Sequence, residues 1–194
     1  MNHVLPDKLL RVHTALSAHA IPHAFGGAIA LAFYGEPRDT RDLDINIALP
    51  PAQHARLLDA LASLFPIVGR EKAAQELTRL AQTRLFWEET GVDLFMADIP
   101  YHASIAERAH DVDYMGTRLP VISAEDLIIL KAAFNRPKDW IDIENMFQVQ
   151  NGALDALYIR RWLSEFYLPP DDLPLQRVAG FIRQYGQPAG PEPR

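Results

Sequence analysis

The chain has 194 residues, 48 % of them apolar and 23 % charged, with no cysteine and a formal net charge of -6. That length and apolar content suffice for a buried core, while the missing cysteine excludes disulfides, thiolate metal sites and a cysteine nucleophile. The acidic balance argues against an extended nucleic-acid platform, so no DNA partner is expected.

The N-terminal MNHVLPDKLLRVHTAL has neither the basic start nor the apolar core of a signal peptide. No run approaches the roughly 18 apolar residues of a membrane span, so the expectation is a cytoplasmic protein without a membrane partner. Residues 6–20 space Leu9, Leu10, Val12, Leu16 and Ala20 near a 3.6 period, with Asp7 close to the start, and predict a helix. Residues 21–25 predict a brief strand leading into Gly26-Gly27, and 28–34 a short buried helix. After a polar loop over 35–41, residues 42–49 set Leu43, Ile45 and Ile47 against Asp42, Asp44 and Asn46, the period of a strand with one apolar and one polar face.

Residues 53–64 predict an amphipathic helix, Ile67-Val68 a short strand and 71–80 a helix. Residues 83–88 and 92–97 flank Glu89-Thr90-Gly91, a three-residue hairpin connection whose glycine suits a positive φ. A helix over 101–109 and a second hairpin over 114–121, turning at Gly116-Thr117, come next. Ser123 opens a helix-capping signature before 127–130, and that helix should reach Asn135 and stop ahead of Pro137. Residues 139–149, 154–166 and 175–185 predict further helices.

Strands and helices mix before Ser123, whereas only helices follow it. The expected architecture is therefore α+β: an α/β core over 1–122, a C-terminal helical region over 123–185 packed on it, and a disordered tail over 186–194, which holds three prolines and two glycines.

Asp42 and Asp44 carry the most chemistry. Carboxylates at i and i+2 of a strand share a face with α-carbons roughly 6.5–7 Å apart, and they repel unless solvated, paired to arginine or neutralised by a cation. One reading is a solvated strand face or ion pairs to Arg38 and Arg41. The other comes from the context. A glycine pair lets backbone approach a phosphate closely, and the helix after it offers unpaired N–H groups.

Magnesium takes a few carboxylates together with substrate phosphates, and two such ions align attacking and leaving oxygens. A third carboxylate is then expected from a neighbouring strand. Asp93 is available, with Glu88, Glu89 and Asp98 close to it in sequence. His3, His13, His19 and His23 lack the spacing of a ligand set and read as incidental. Lys131 reads either as a snorkelling lysine or as a functional one, and Asp139 and Asp142 as partners of Lys138 and Arg136 or as helix-start charges.

Gly26-Gly27, a spacer and Asp42-Leu43-Asp44-Ile45 together resemble the signature of the DNA polymerase β-like nucleotidyltransferase superfamily. RDTRDLDINI is similar to the R-x-T-x-D-apolar-D stretch of the AbiEii-type bacterial nucleotidyltransferase-like proteins. AEDLIILKAAFNRPKDWIDI resembles that group's distal helical motif, with Lys131, Arg136, Lys138, Asp139 and Asp142 on its positions.

The resemblance implies the polymerase β-like fold, a small mixed sheet with flanking helices. It implies that Asp42, Asp44 and Asp93 are catalytic and bind Mg2+, two ions during turnover with Mn2+ as a substitute. Asp93 would also help to deprotonate the acceptor. Gly26, Gly27 and Lys131 would bind the nucleotide phosphates, with Arg41, Arg136 and Asp142 as a second tier. The implied activity moves an NMP from an NTP to an acceptor: tRNA or another RNA end, a protein hydroxyl or a small molecule. A toxin–antitoxin or phage-defence role with an antitoxin partner is implied too. Two alternatives stay open, a non-catalytic nucleotide-binding or protein-interaction member of the same fold, and a metal-dependent phosphohydrolase.

Overall fold

The structure, a computed structural model, describes residues 4–186. The histidine at position 3 and the tail expected over 186–194, apart from Gly186, lie outside the described residues. α1 (Leu5–Ala18) buries Leu9, Val12 and Leu16 along one stripe. Its Pro6 sits in the first turn, where backbone N–H groups have no intrahelical acceptor, so the ring removes no hydrogen bond.

β1 (His23–Phe25), α2 (Gly27–Tyr34) and β2 (Leu43–Ile47) follow. A 3-10 turn over Pro51–Gln53 then leads into α3 (His54–Ala62), followed by α4 (Arg70–Leu80). β3 (Gln82–Trp87) and β4 (Thr90–Met96) form one hairpin, and α5 (Pro100–Arg108) separates it from a second, β5 (His110–Tyr114) and β6 (Thr117–Val121). The helices α6 (Ala124–Phe134), α7 (Pro137–Gln150), α8 (Ala156–Phe166) and α9 (Leu173–Tyr185) end the described chain.

The six strands form one mixed sheet in the order β3-β4-β2-β1-β6-β5. β2 runs parallel to β4 and antiparallel to β1, and β1 runs parallel to β6. The fold is α+β. In β2 the alternation decides the orientation: Leu43, Ile45 and Ile47 are buried to 0 %, 0 % and 2 % exposure, which turns Asp44 and Asn46 to the other face.

Two local expectations are corrected. Ile67-Val68 is no strand but part of the connection before α4, with Val68 92 % exposed; two apolar residues without alternation carry no strand period. The first hairpin turns at Glu88-Glu89 rather than at 89–91, and the residue with positive φ is Glu88, at +56°. Gly91 instead lies within β4, paired with Phe86.

The chain divides into two compact units. The residues up to Ile29 group with Asp39–Ile122, and Ala30–Arg38 groups with the residues from Ser123 onward. The sheet, α1 and α3–α5 belong to the first unit, whereas the helices α6–α9 belong to the second together with the connecting segment 30–38. In that second unit Leu127, Ile143, Met146, Ile159 and Leu163 are buried. Asn145 fixes the segment by accepting from the Glu36 N–H.

Candidate functional site

The polar face of the sheet gathers the acids. Asp44 of β2 is in register with Asp93 of the parallel strand β4, and Asp42 stands one residue ahead of β2. Facing residues on adjacent strands project to the same side, and so do residues two apart on one strand. The three carboxylates therefore share one face, with Asp42 and Asp93 partly exposed to solvent.

The glycine turn abuts the same place. Gly26 donates its N–H to the Asp44 carbonyl at 2.8 Å, which ties the end of β1 to the middle of β2. Gly27 then opens α2 with φ at +53°, and a Cβ on it would overlap the Asp44 carboxylate. Only glycine allows both the left-handed backbone and this approach. Gly26 is less tightly set, since a Cβ there would come 3.1 Å from Asn46 Nδ2. The start of a helix is thereby held against one of the acids.

A residue that the sequence reading passed over completes the cluster. Arg84 of β3 is paired with Asp93 across the hairpin. Its Nη2 lies 2.7 Å from Asp42 Oδ2 and its Nε 3.1 Å from Asp93 Oδ1. Arg38, one of the two arginines considered for neutralising the acids, belongs to the other unit and pairs with Asp142 at 3.2 Å. Arg84 sits in an exposed–buried alternation typical of any amphipathic strand, so only knowledge of the hairpin register could have singled it out.

Among the described residues, no three acids or histidines converge as a ready-made metal cage. The donor set nonetheless fits a hard divalent cation. It consists of carboxylate oxygens only, the ligands that magnesium prefers, and the Arg84 guanidinium already stands between two of them as a cation. Farther along the same face, α5 covers Ala24, Asn46 and Phe95 and leaves a cavity of about 210 Å³.

Of the remaining expected residues, Arg41 belongs to the first unit and Lys131, Arg136 and Asp142 to the second. Arg41 is exposed beside Asp42. Lys131, expected at the phosphates, is 3 % exposed in the helical unit, and its ammonium donates to Asp142 at 2.6 Å with Asp139 at 3.9 Å. There it is a buried cation, enclosed by the paired acids of α7 that face it. Arg136 and Asp142 are likewise committed: Arg136 clasps Asp139 in the capping box of α7, and Asp142 receives both Lys131 and Arg38.

The histidines are less incidental than their spacing indicated. His13 Nδ1 and His23 Nε2 meet at 3.0 Å, and His23 Nδ1 lies 2.8 Å from the Ile21 carbonyl. Burial lowers the pKa of both, against an opposing pull from Asp111 at His13 and from the Ile21 carbonyl at His23.

Residues 8–179 match the family model described as nucleotidyl transferase AbiEii toxin, type IV toxin–antitoxin system. No curated protein matches the sequence. Among solved structures, the lincosamide antibiotic adenylyltransferase LnuA, bound to lincomycin, aligns with a TM-score of 0.53 at 14 % identity over 76 % of this chain and 99 % of its own. The antibiotic-resistance factor ANT(2'')-Ia aligns with a TM-score of 0.51 at 13 % identity over 91 % of this chain and 95 % of its own. At such identities the likeness establishes a shared fold.

Proposed function

The chain belongs to the AbiEii nucleotidyltransferase family, and from that premise we propose that it transfers a nucleoside monophosphate from an NTP to an acceptor hydroxyl. The observation that carries this reading is the placement of Asp42, Asp44 and Asp93 on one sheet face against the Gly26-Gly27 turn. The sheet-bearing part of 1–122 is the catalytic domain in this reading, and 123–185 the accessory one.

Asp42 and Asp44 hold a divalent cation, magnesium in the first instance, with Asp93 completing the set. A bound cation supplies neutralisation of the phosphate charge. The backbone of Gly26 and Gly27 and the start of α2 receive phosphate oxygens, because unpaired N–H groups at a helix N-terminus favour anions. The acceptor oxygen forms a bond to the α-phosphorus while the bond from that phosphorus to the bridging oxygen breaks and pyrophosphate leaves. Asp93 accepts the hydroxyl proton.

The family description supplies a type IV toxin–antitoxin context, and in this reading an antitoxin protein is the partner. The acceptor is an RNA end, a protein hydroxyl or a small molecule, the last being the class that the name of LnuA assigns to that protein. Incubation with each α-32P NTP and magnesium, against cell RNA, cell protein and a small-molecule extract in separate reactions, distinguishes the three. Label should enter one fraction with wild-type protein and none with Asp42→Asn. Equal labelling by Asp42→Asn would place the chemistry elsewhere.

A further inference from the structure

Arg84 touches two of the three carboxylates that the proposed cation site uses, at 2.7 Å from Asp42 and 3.1 Å from Asp93. Two features of the chain allow this. Arg84 faces Asp93 across the hairpin, where paired Cβ atoms lie about 4.5–5.5 Å apart. Gly91, two residues before Asp93, provides the space: a Cβ there would sit 2.6 Å from Asp42 Oδ1 and 2.8 Å from Arg84 Nη2. An ordinary strand residue at position 91 would push the arginine off the acids.

A guanidinium and a divalent cation on the same carboxylate oxygens repel each other within a few ångströms. Entry of the cation therefore requires the arginine to share or release its partners, and a released guanidinium needs a new anion. A triphosphate offers one, since arginine binds phosphate in the same two-pronged way as carboxylate. We infer that Arg84 is an internal counter-cation of the acid cluster, which holds Asp42 and Asp93 in place, competes with the divalent cation when it arrives alone, and turns to the phosphates when cation and NTP arrive together. Arg84 thus couples cation uptake to NTP binding, holding the acids before the ligands arrive and contacting the phosphates afterwards. The inference rests on the acids being the cation site proposed above.

Coupling is reciprocal, so the effect is readable from the cation side without any turnover. Mn2+ binding to the whole chain is measured by electron paramagnetic resonance, with and without α,β-methylene NTP analogues, for wild type, Arg84→Gln and Arg84→Lys. Without nucleotide, Arg84→Gln should bind Mn2+ at least about fivefold more tightly than wild type, since it loses two competing ion pairs and one half-exposed pair alone corresponds to about that factor. The strengthening of Mn2+ binding by nucleotide should shrink by the same factor.

Arg84→Lys keeps the charge and the stem but loses the fork, so its Mn2+ affinity should fall between the two; it also serves as the test if Arg84→Gln does not fold. A merely structural arginine would leave Mn2+ affinity unchanged or weaken it, and either result in a protein whose wild type binds Mn2+ overturns the inference. Absence of Mn2+ binding in all three proteins, with and without nucleotide, overturns the cation site itself.

Discussion

Gly27→Ala probes the join between the glycine turn and the acids. Position 27 has φ at +53°, and an added Cβ would overlap the Asp44 carboxylate. The backbone strain alone costs about 1–2 kcal/mol for an L-residue, and forcing a packed neighbour aside adds about 1–3 kcal/mol. A control separates the two. Gly69, at the start of α4, has φ at +71° but nothing within 4 Å of a built Cβ, so Gly69→Ala carries the strain without the clash. Urea denaturation should give a loss of about 2–5 kcal/mol for Gly27→Ala and about 1–2 kcal/mol for Gly69→Ala. Mn2+ binding should weaken at least tenfold in Gly27→Ala, because Asp44 must leave its place, and stay at the wild-type level in Gly69→Ala. Equal stability losses, or equal Mn2+ affinities, would refute the claim that Gly27 is needed for the position of Asp44.

Lys131→Met should destabilise the chain by about 3 kcal/mol in urea, since it leaves the buried Asp142 with Arg38 alone; a midpoint like that of wild type would contradict the buried pairing. Ser123→Ala removes the cap that accepts from the Asp126 N–H at 3.1 Å, and should cost about 1 kcal/mol, with Ser123→Thr retaining most of it. Stability should also fall with pH through the His13–His23 pair. Burial lowers both pKa values from the ordinary 6.5, so between the folded-state values and 6.5 the unfolded chain binds more protons. Their contribution is complete above pH 6.5 and is lost as pH drops through the folded-state values. His23→Gln should flatten the change in denaturation midpoint between pH 7.5 and 5, and an unchanged slope in that variant would exclude the pair as its source.

Features with a short period were legible in the sequence. The alternation of Leu43, Ile45 and Ile47 with Asp44 and Asn46 named the strand and its faces, and the burial follows it residue by residue. Ser123 with an acid three residues on named a helix start that the Ser123 Oγ does cap. What stayed hidden depends on neighbours distant along the chain. Arg84 enters the acid cluster through the β3–β4 register, and Gly91 reads as a turn glycine until the Asp42–Arg84 pair is seen to need its bare Cα. Segment 30–38 looks like part of a continuous core, yet its contacts run more than a hundred residues downstream, from Glu36 to Asn145 and from Arg38 to Asp142. Lys131 was readable as an important lysine, but not as one enclosed by the acids of the next helix.

We propose that Asp42, Asp44 and Asp93 form one cation-and-triphosphate site beside the glycine turn. Calorimetric titration of each of the four NTPs into the whole chain, with and without magnesium, and into Asp44→Asn, tests it most directly. At least one NTP should give heat of binding that requires magnesium and disappears in Asp44→Asn. NTP binding that persists undiminished without magnesium, or in Asp44→Asn, would contradict it.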